Sequence, residues 1–187
     1  SQFLDPDGRF PNHIPNPENE TAMASVCEAV KKYGADFGII FDTDVDRAAA
    51  VDKNGEEINR NRLIALAAYM VSGEKGGATI VTDSVTSDGL REYLENTLND
   101  IHYRYRRGYK NVINKAIELC RDGINCPLAI ETSGHAALRE NYFLDDGAYL
   151  VTKIVIELAR GRDIEKILAP LKMPAEEAEF RFNINAE

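Results

Sequence analysis

The chain has 187 residues, 44% hydrophobic and 28% charged, with a formal net charge of -9. That length fits one large or two small domains with a packed core. The acidic balance argues against nucleic acid or an anionic membrane surface as partner, no apolar run approaches the roughly 20 residues that span a bilayer, and no secretory leader is visible. Cys27, Cys120 and Cys126 form an odd, irregular set. They read as free thiols of a cytoplasmic protein, not as a disulfide or zinc framework.

The segment DPDGRFPNHIPNPENE, starting at Asp5, is rich in Pro, Asn and Asp and reads as loop. Asn16 as cap, Pro17 at the first helical position and Glu18 and Glu20 beside the positive dipole end predict a helix start. Met23, Val26, Val30 and Tyr33 then recur at helical spacing, and Gly34 is a terminator. Residues 36–41 are apolar at consecutive positions, as in strands buried on both faces. A second short strand follows at 48–51, a turn at Lys53, Asn54 and Gly55, and a helix at 62–71. Gly73, Gly76 and Gly77 punctuate the chain. Beyond them, strand-like stretches at 78–81, 101–105 and 128–130 alternate with helical ones at 88–98, 110–120 and 147–159. This alternation predicts an α/β fold: two three-layer-type α/β units with mixed, mostly parallel sheets. The expected units are 1–75 and 76–172, with 173–187 a connection ending in the strand-like FRFNI.

The run FGIIFDTDVDR places Asp42, Asp44 and Asp46 at spacing two after an apolar strand, with Arg47 beside them. Three hard oxygen donors favour Mg²⁺, Mn²⁺ or Ca²⁺ over zinc. Side chains at spacing two share one face, so a slightly curled loop can aim all three at one ion. Arg47 cannot ligate a metal, but its planar fork suits an anionic or hydroxyl-rich substrate. A merely solvated acidic loop is the plain alternative. An EF-hand fails because Arg47 and Lys53 stand where Gly and Glu are required. A haloacid-dehalogenase-type phosphatase is a further alternative, with Asp42 as nucleophile and Lys110 and the pair Asp145 and Asp146 in its later roles. Against it, Asp46 replaces that family's usual Thr or Val. HYRYRRGYK, from His102, interleaves Tyr with Arg, which can signal stacking on single-stranded nucleic acid. In an acidic chain, an exposed strand near an anionic ligand explains it better.

PLAIETSGHAA echoes the first run, passing from a buried strand into a polar, acid-led loop. Carboxyl ends of strands are where open α/β sheets bind ligands. Glu131 with Ser133 sets a carboxylate acceptor beside a hydroxyl that both donates and accepts. Gly134 allows close backbone approach, and His135 is suited to proton movement near neutrality.

Asp-x-Asp-x-Asp-Arg after a buried strand resembles the metal loop of the α-D-phosphohexomutases, the phosphoglucomutase and phosphomannomutase superfamily. DPDGRFPNHIPNPE resembles the segment upstream of that loop, RRGYKNVINKA the Gly-aromatic-Lys substrate loop, and ETSGHAALRENYFLDDGAYL the sugar-binding loop. The segments occur in family order. The resemblance implies part of the second and all of the third domain of a four-domain enzyme, whose first and fourth domains would be its partners. It implies phosphoryl transfer between C1 and C6 of a hexose phosphate, through a hexose bisphosphate and an enzyme phosphoserine. It implies Mg²⁺ on Asp42, Asp44 and Asp46, and substrate contacts from Arg47, Gly108, Lys110, Glu131, Ser133 and His135. Catalytic roles would fall to His135, Lys110 and Arg47. No Ser-His-Asn-Pro or Arg-x-Ser-Gly-Thr loop occurs in these 187 residues, so this chain alone is expected to be inert. Ile130 stands where the family often has Gly, and Thr43 and Val45 where it often has small residues.

Overall fold

The computed structural model describes residues 1–5, 7–73, 75–176 and 178, so the expected FRFNI strand lies outside the described residues. Helix α1 (Glu20–Tyr33) begins at Asn19, whose side chain accepts from the Ala22 N–H, and closes on Gly34 at φ 60°. Asn16, the expected cap, sits one turn earlier. Its Oδ1 accepts from the Glu18 N–H at 2.9 Å and from Arg47 Nη1 at 3.3 Å.

Strands β1 (Phe37–Phe41), β2 (Ala48–Asp52) and β3 (Glu57–Ile58) form one sheet in that order, with both pairings antiparallel. Parallel pairing, expected for most strands, is therefore confined to the second unit. A short loop can only return β1 as a hairpin, since a parallel partner needs a crossover of about a dozen residues or more. Every residue of β2 is buried. Ala49 and Val51 pack with Met23 and Val30 of α1, while Ala50 joins the larger core on the opposite face.

The second sheet, in the order β5-β4-β6-β7, is built from β4 (Thr79–Thr82), β5 (Ile101–Arg104), β6 (Leu128–Ile130) and β7 (Ala136–Leu138). Strand β4 is parallel to both β5 and β6, whereas β7 returns antiparallel. Helix α4 (Tyr109–Arg121) covers one face, setting Val112, Ala116 and Leu119 against Val81, Ala129 and Ala137. On the other face Ile80, Leu128, Ile130 and Leu138 meet α2 (Arg60–Val71) and α5 (Gly147–Ala159). Helix α3 (Asp88–Glu92) runs on into a π-helical turn at Tyr93–Thr97, and α6 (Ile164–Leu168) follows α5. Helix α2 is buried around most of its circumference and packs on α5, α6 and β6. A helix apolar on most sides needs cover on most sides. Although the glycines near 76 follow α2, the helix thus packs on β6 of the second sheet.

Candidate metal and sugar-binding site

Residues 42–47 link β1 to β2. The Arg47 N–H donates to Asp42 Oδ1 at 3.2 Å, and the Asp42 N–H to the Arg47 carbonyl at 3.4 Å. Val45 makes the turn at φ 66°, a region that strains a β-branched residue. The curled loop brings carboxylate oxygens of Asp42, Asp44 and Asp46 within 4.8 Å of one another. Asp42 is buried, Asp46 half-buried and Asp44 exposed.

Arg47 turns back into this cluster. Its Nε donates to Asp42 Oδ2 at 2.6 Å and lies 3.8 Å from Asp46 Oδ1. Burial pushes the Asp42 carboxyl up, but hydrogen bonds from the Arg47 backbone and guanidinium outweigh it and hold the group below the ordinary carboxylate range. Burial, then the hydrogen bond with Asp42 and the nearby acids, push Asp46 up to about 6, against the pull of His135. Asp46 Oδ1 is buried without a hydrogen-bond partner. The set is acidic, all-oxygen and only partly neutralised by one guanidinium, so it fits a hard divalent cation.

The same geometry lends the phosphatase alternative no support. Arg47 covers both oxygens of Asp42, whose side chain is only 1% exposed. A nucleophile needs an open oxygen. Lys110 is exposed, with Nζ 5.8 Å from the Tyr109 ring centroid.

The second loop leaves β6 at Glu131 and enters β7 after His135. It closes through the Gly134 N–H to the Glu131 carbonyl at 3.1 Å and the Glu131 N–H to the His135 carbonyl at 2.9 Å. Glu131 is buried, and its Oε1 accepts from the Gly108 N–H at 2.6 Å. Burial raises the Glu131 carboxyl, with that N–H opposing. Ser133 Oγ is buried without a hydrogen-bond partner. His135 Nδ1 lies 2.8 Å from Asp145 Oδ2 and 3.6 Å from Asp46 Oδ2. The Tyr109 ring stacks on its imidazole at 4.9 Å. Burial lowers the His135 pKa, but the bond to Asp145 and the charges of Asp145, Asp46 and Glu131 prevail and raise it.

The two loops meet. Arg47 and His135 form an antiparallel bridge, the Ala48 N–H donates to the Gly134 carbonyl at 3.3 Å, and the Gly147 N–H to the Val45 carbonyl at 3.0 Å. Asp42, Asp44, Asp46, Arg47 and His135 thus converge, with Gly108 joined to Glu131 of the second loop, while Lys110 is exposed next to Tyr109 and has no contact with the cluster among the described residues. Sequence reasoning missed Tyr109 against His135 and the part Asp145 plays there. It also missed Asp83, which accepts from Thr132 inside the second loop. An aspartate directly after an apolar strand, as at Asp83, was the available signal.

The arrangement defines an α/β protein with an acidic cation loop and a polar loop brought together from two sheets. Two family models match in succession: phosphoglucomutase/phosphomannomutase alpha/beta/alpha domain II over residues 1–55, and domain III over residues 59–173. The chain belongs to the phosphoglucomutase/phosphomannomutase family. It is 35% identical over 89% of its length to a phosphoglucomutase/phosphomannomutase of Thermococcus kodakarensis, covering 35% of that protein. It is 30% identical over 84% of its length to a phosphomannomutase/phosphoglucomutase of Pseudomonas putida, covering 33% of it. The chain therefore spans about a third of the length of these relatives. A solved family member from Burkholderia thailandensis superposes at TM-score 0.77 with 32% identity, over 90% of this chain and 36% of that one. Aspergillus fumigatus N-acetylphosphoglucosamine mutase, solved with GlcNAc-6P and magnesium, is alike in fold at TM-score 0.55 and 16% identity, over 78% of this chain and 39% of its own. No helix among the described residues is long and apolar enough to cross a membrane.

Proposed function

We propose that this chain supplies the cation-holding and sugar-reading parts of a phosphohexomutase, which interconverts hexose 1- and 6-phosphates of glucose or mannose through a bisphosphate. The observation that carries this reading is the junction of the two loops at Arg47 and His135. Asp42, Asp44 and Asp46 would hold Mg²⁺, which supplies charge stabilisation to a phosphoryl group in transfer. Glu131 accepts from one sugar hydroxyl, and the unpartnered Ser133 Oγ bonds its neighbour. Gly108 holds Glu131 in place. His135, raised in pKa and oriented by Asp145, moves a proton at the reacting oxygen. Arg47 and the exposed Lys110 present cationic donors to the sugar phosphate. The expected division at 75/76 differs from the matched spans, 1–55 and 59–173, and we propose that the family domains meet at 56–58. Phosphoryl donation and grip on the distal phosphate would fall to parts of the enzyme other than these loops.

Calorimetric titration of the chain with Mn²⁺ or Mg²⁺, then with glucose 6-phosphate, tests the reading, together with a coupled mutase assay from glucose 1-phosphate. Cation and sugar phosphate should bind without turnover, and Asp44→Asn should weaken the cation. Cation binding unchanged by Asp44→Asn, or no response to any hexose phosphate, would sink it.

A further inference from the structure

Asp83 follows the central strand β4 and is fully buried. Its Oδ2 accepts both the Thr132 N–H at 3.1 Å and the Thr132 Oγ at 2.6 Å. Its own carbonyl is held by the hydroxyls of Thr82 at 3.1 Å and Thr86 at 3.2 Å. Oδ1 has no partner. Thr132 stands between Glu131 and Ser133, the pair proposed above to read the sugar. Strand register puts the two segments side by side, since Thr82 pairs with Ile130, so each chain passes its strand end at the same level.

A wholly buried carboxyl is an expensive way to hold a loop. Desolvation opposes it, and apolar groups of similar size often stabilise as well or better. What it adds is geometry: one oxygen fixes both the main chain and the side chain of the central loop residue. Charge-assisted bonds of this kind are short and directional. The bonds that reach this loop from Gly108 to Glu131, from Ala48 to Gly134 and from Asp145 to His135 leave Thr132 to Asp83.

We infer that Asp83 is a positioning residue that sets the spacing and rotamers of Glu131 and Ser133 through Thr132. The sugar-reading consequence rests on the function proposed above, whereas the anchoring of the loop does not. Binding sites need their contacting groups held within a fraction of an ångström by supporting bonds, and Asp83 is the support beneath this pair.

The test uses the ¹⁵N,¹³C-labelled chain and the variants Asp83→Asn and Thr132→Val. Amide exchange at Thr132, side-chain couplings of Glu131 and Ser133, and the shift response to glucose 6-phosphate are read together. Expected are exchange at Thr132 faster by about tenfold or more, as loss of a charged hydrogen bond implies, and rotamer averaging at Glu131 and Ser133. Protection at Ile80 and Val81 should persist, and the glucose 6-phosphate response should weaken at least about tenfold. Unchanged exchange and couplings would overturn the inference, as would a uniform loss of protection across β4 and β6, which marks a purely structural group. Should Asp83→Asn not fold, Thr132→Val decides alone, because it removes one bond and keeps the side-chain shape. A wild-type chain that ignores glucose 6-phosphate while its variants lose the Thr132 anchor would overturn the sugar reading and leave the anchoring standing.

Discussion

Gly147 and Val45 lie 102 residues apart in sequence, yet the backbone N–H of the first meets the carbonyl of the second at 3.0 Å. A Cβ on Gly147 would lie 2.9 Å from both the Val45 carbonyl oxygen and the Arg47 carbonyl carbon. Gly134 has the same relation to Ala48, with a Cβ 2.6 Å from its carbonyl oxygen. These glycines are points where the two sheets' loops touch backbone to backbone, as Arg47 and His135 also do, and both contacts lie at the acidic loop.

Alanine at either position should therefore act as a wedge. Overpacking against rigid backbone costs about 1–3 kcal/mol, and Gly134, at φ 96°, adds conformational strain. Urea denaturation of Gly147→Ala and Gly134→Ala should give midpoints below wild type, with weaker Mn²⁺ binding. Wild-type values in both measurements would refute the wedge.

Val45 carries the opposite expectation. It is a β-branched residue at φ 66°, and the residue is 36% exposed. Strain of about 1–3 kcal/mol at such a position is relieved by glycine, against about 0.5–1 kcal/mol of added unfolded-state entropy. Val45→Gly should leave stability equal or higher in the presence of a chelator. A loss beyond about 1 kcal/mol would show that packing of the valine outweighs the strain.

Asp46 gives a pH signature. Its carboxyl is raised from 3.8 to about 6 in the folded chain. Between those values the native state binds more protons than the unfolded state, so this group's contribution to stability falls as pH rises from about 4 to about 6 and is flat above. Asp42 acts in a different window. Its folded pKa is depressed, so its contribution is present above 3.8 and is lost as pH falls through the lower folded value. With chelator present, Asp46→Asn should gain stability relative to wild type steadily across pH 4 to 6. A difference independent of pH would contradict the Asp46 assignment.

His135 should titrate above the ordinary histidine range because of Asp145, despite its burial. Asp145→Asn should bring its midpoint down, read from ring nitrogen shifts. The raised folded pKa means that the Asp145 contact adds stability below the unfolded pKa, and that this is lost as pH rises through the folded one. An unmoved midpoint in Asp145→Asn would assign the shift to other charges.

Most elements were legible because their patterns are local. Met23, Val26 and Val30 mark the buried face of α1, and the apolar runs of β4 and β6 mark strands covered on both sides. Strands of two and three residues, β3 and β7, are too short to show a period. The antiparallel return of β1 followed from loop length, which periodicity does not weigh. Asn16 and Asn19 are equal as caps by residue type; in the fold Asn19 accepts from the Ala22 N–H of α1, whereas Asn16 accepts from the Glu18 N–H and Arg47. The three aspartates were visible as a set because they are adjacent. The grouping of Tyr109, His135 and Asp145 was not, since it exists only after α4, β7 and the start of α5 have packed.

Arg47 lends the acidic loop an internal counter-ion. A cation arriving among Asp42, Asp44 and Asp46 does not enter a vacant cage but competes for an oxygen the guanidinium already grips. Loading is then an exchange. Under the proposed function each ion taken up would weaken the hold on Arg47, a positively charged arm beside the loop of Glu131 and Ser133. On the proposed function, cation and anionic ligand would be tied through that arm: whatever drew the guanidinium away from Asp42 would make room for the metal.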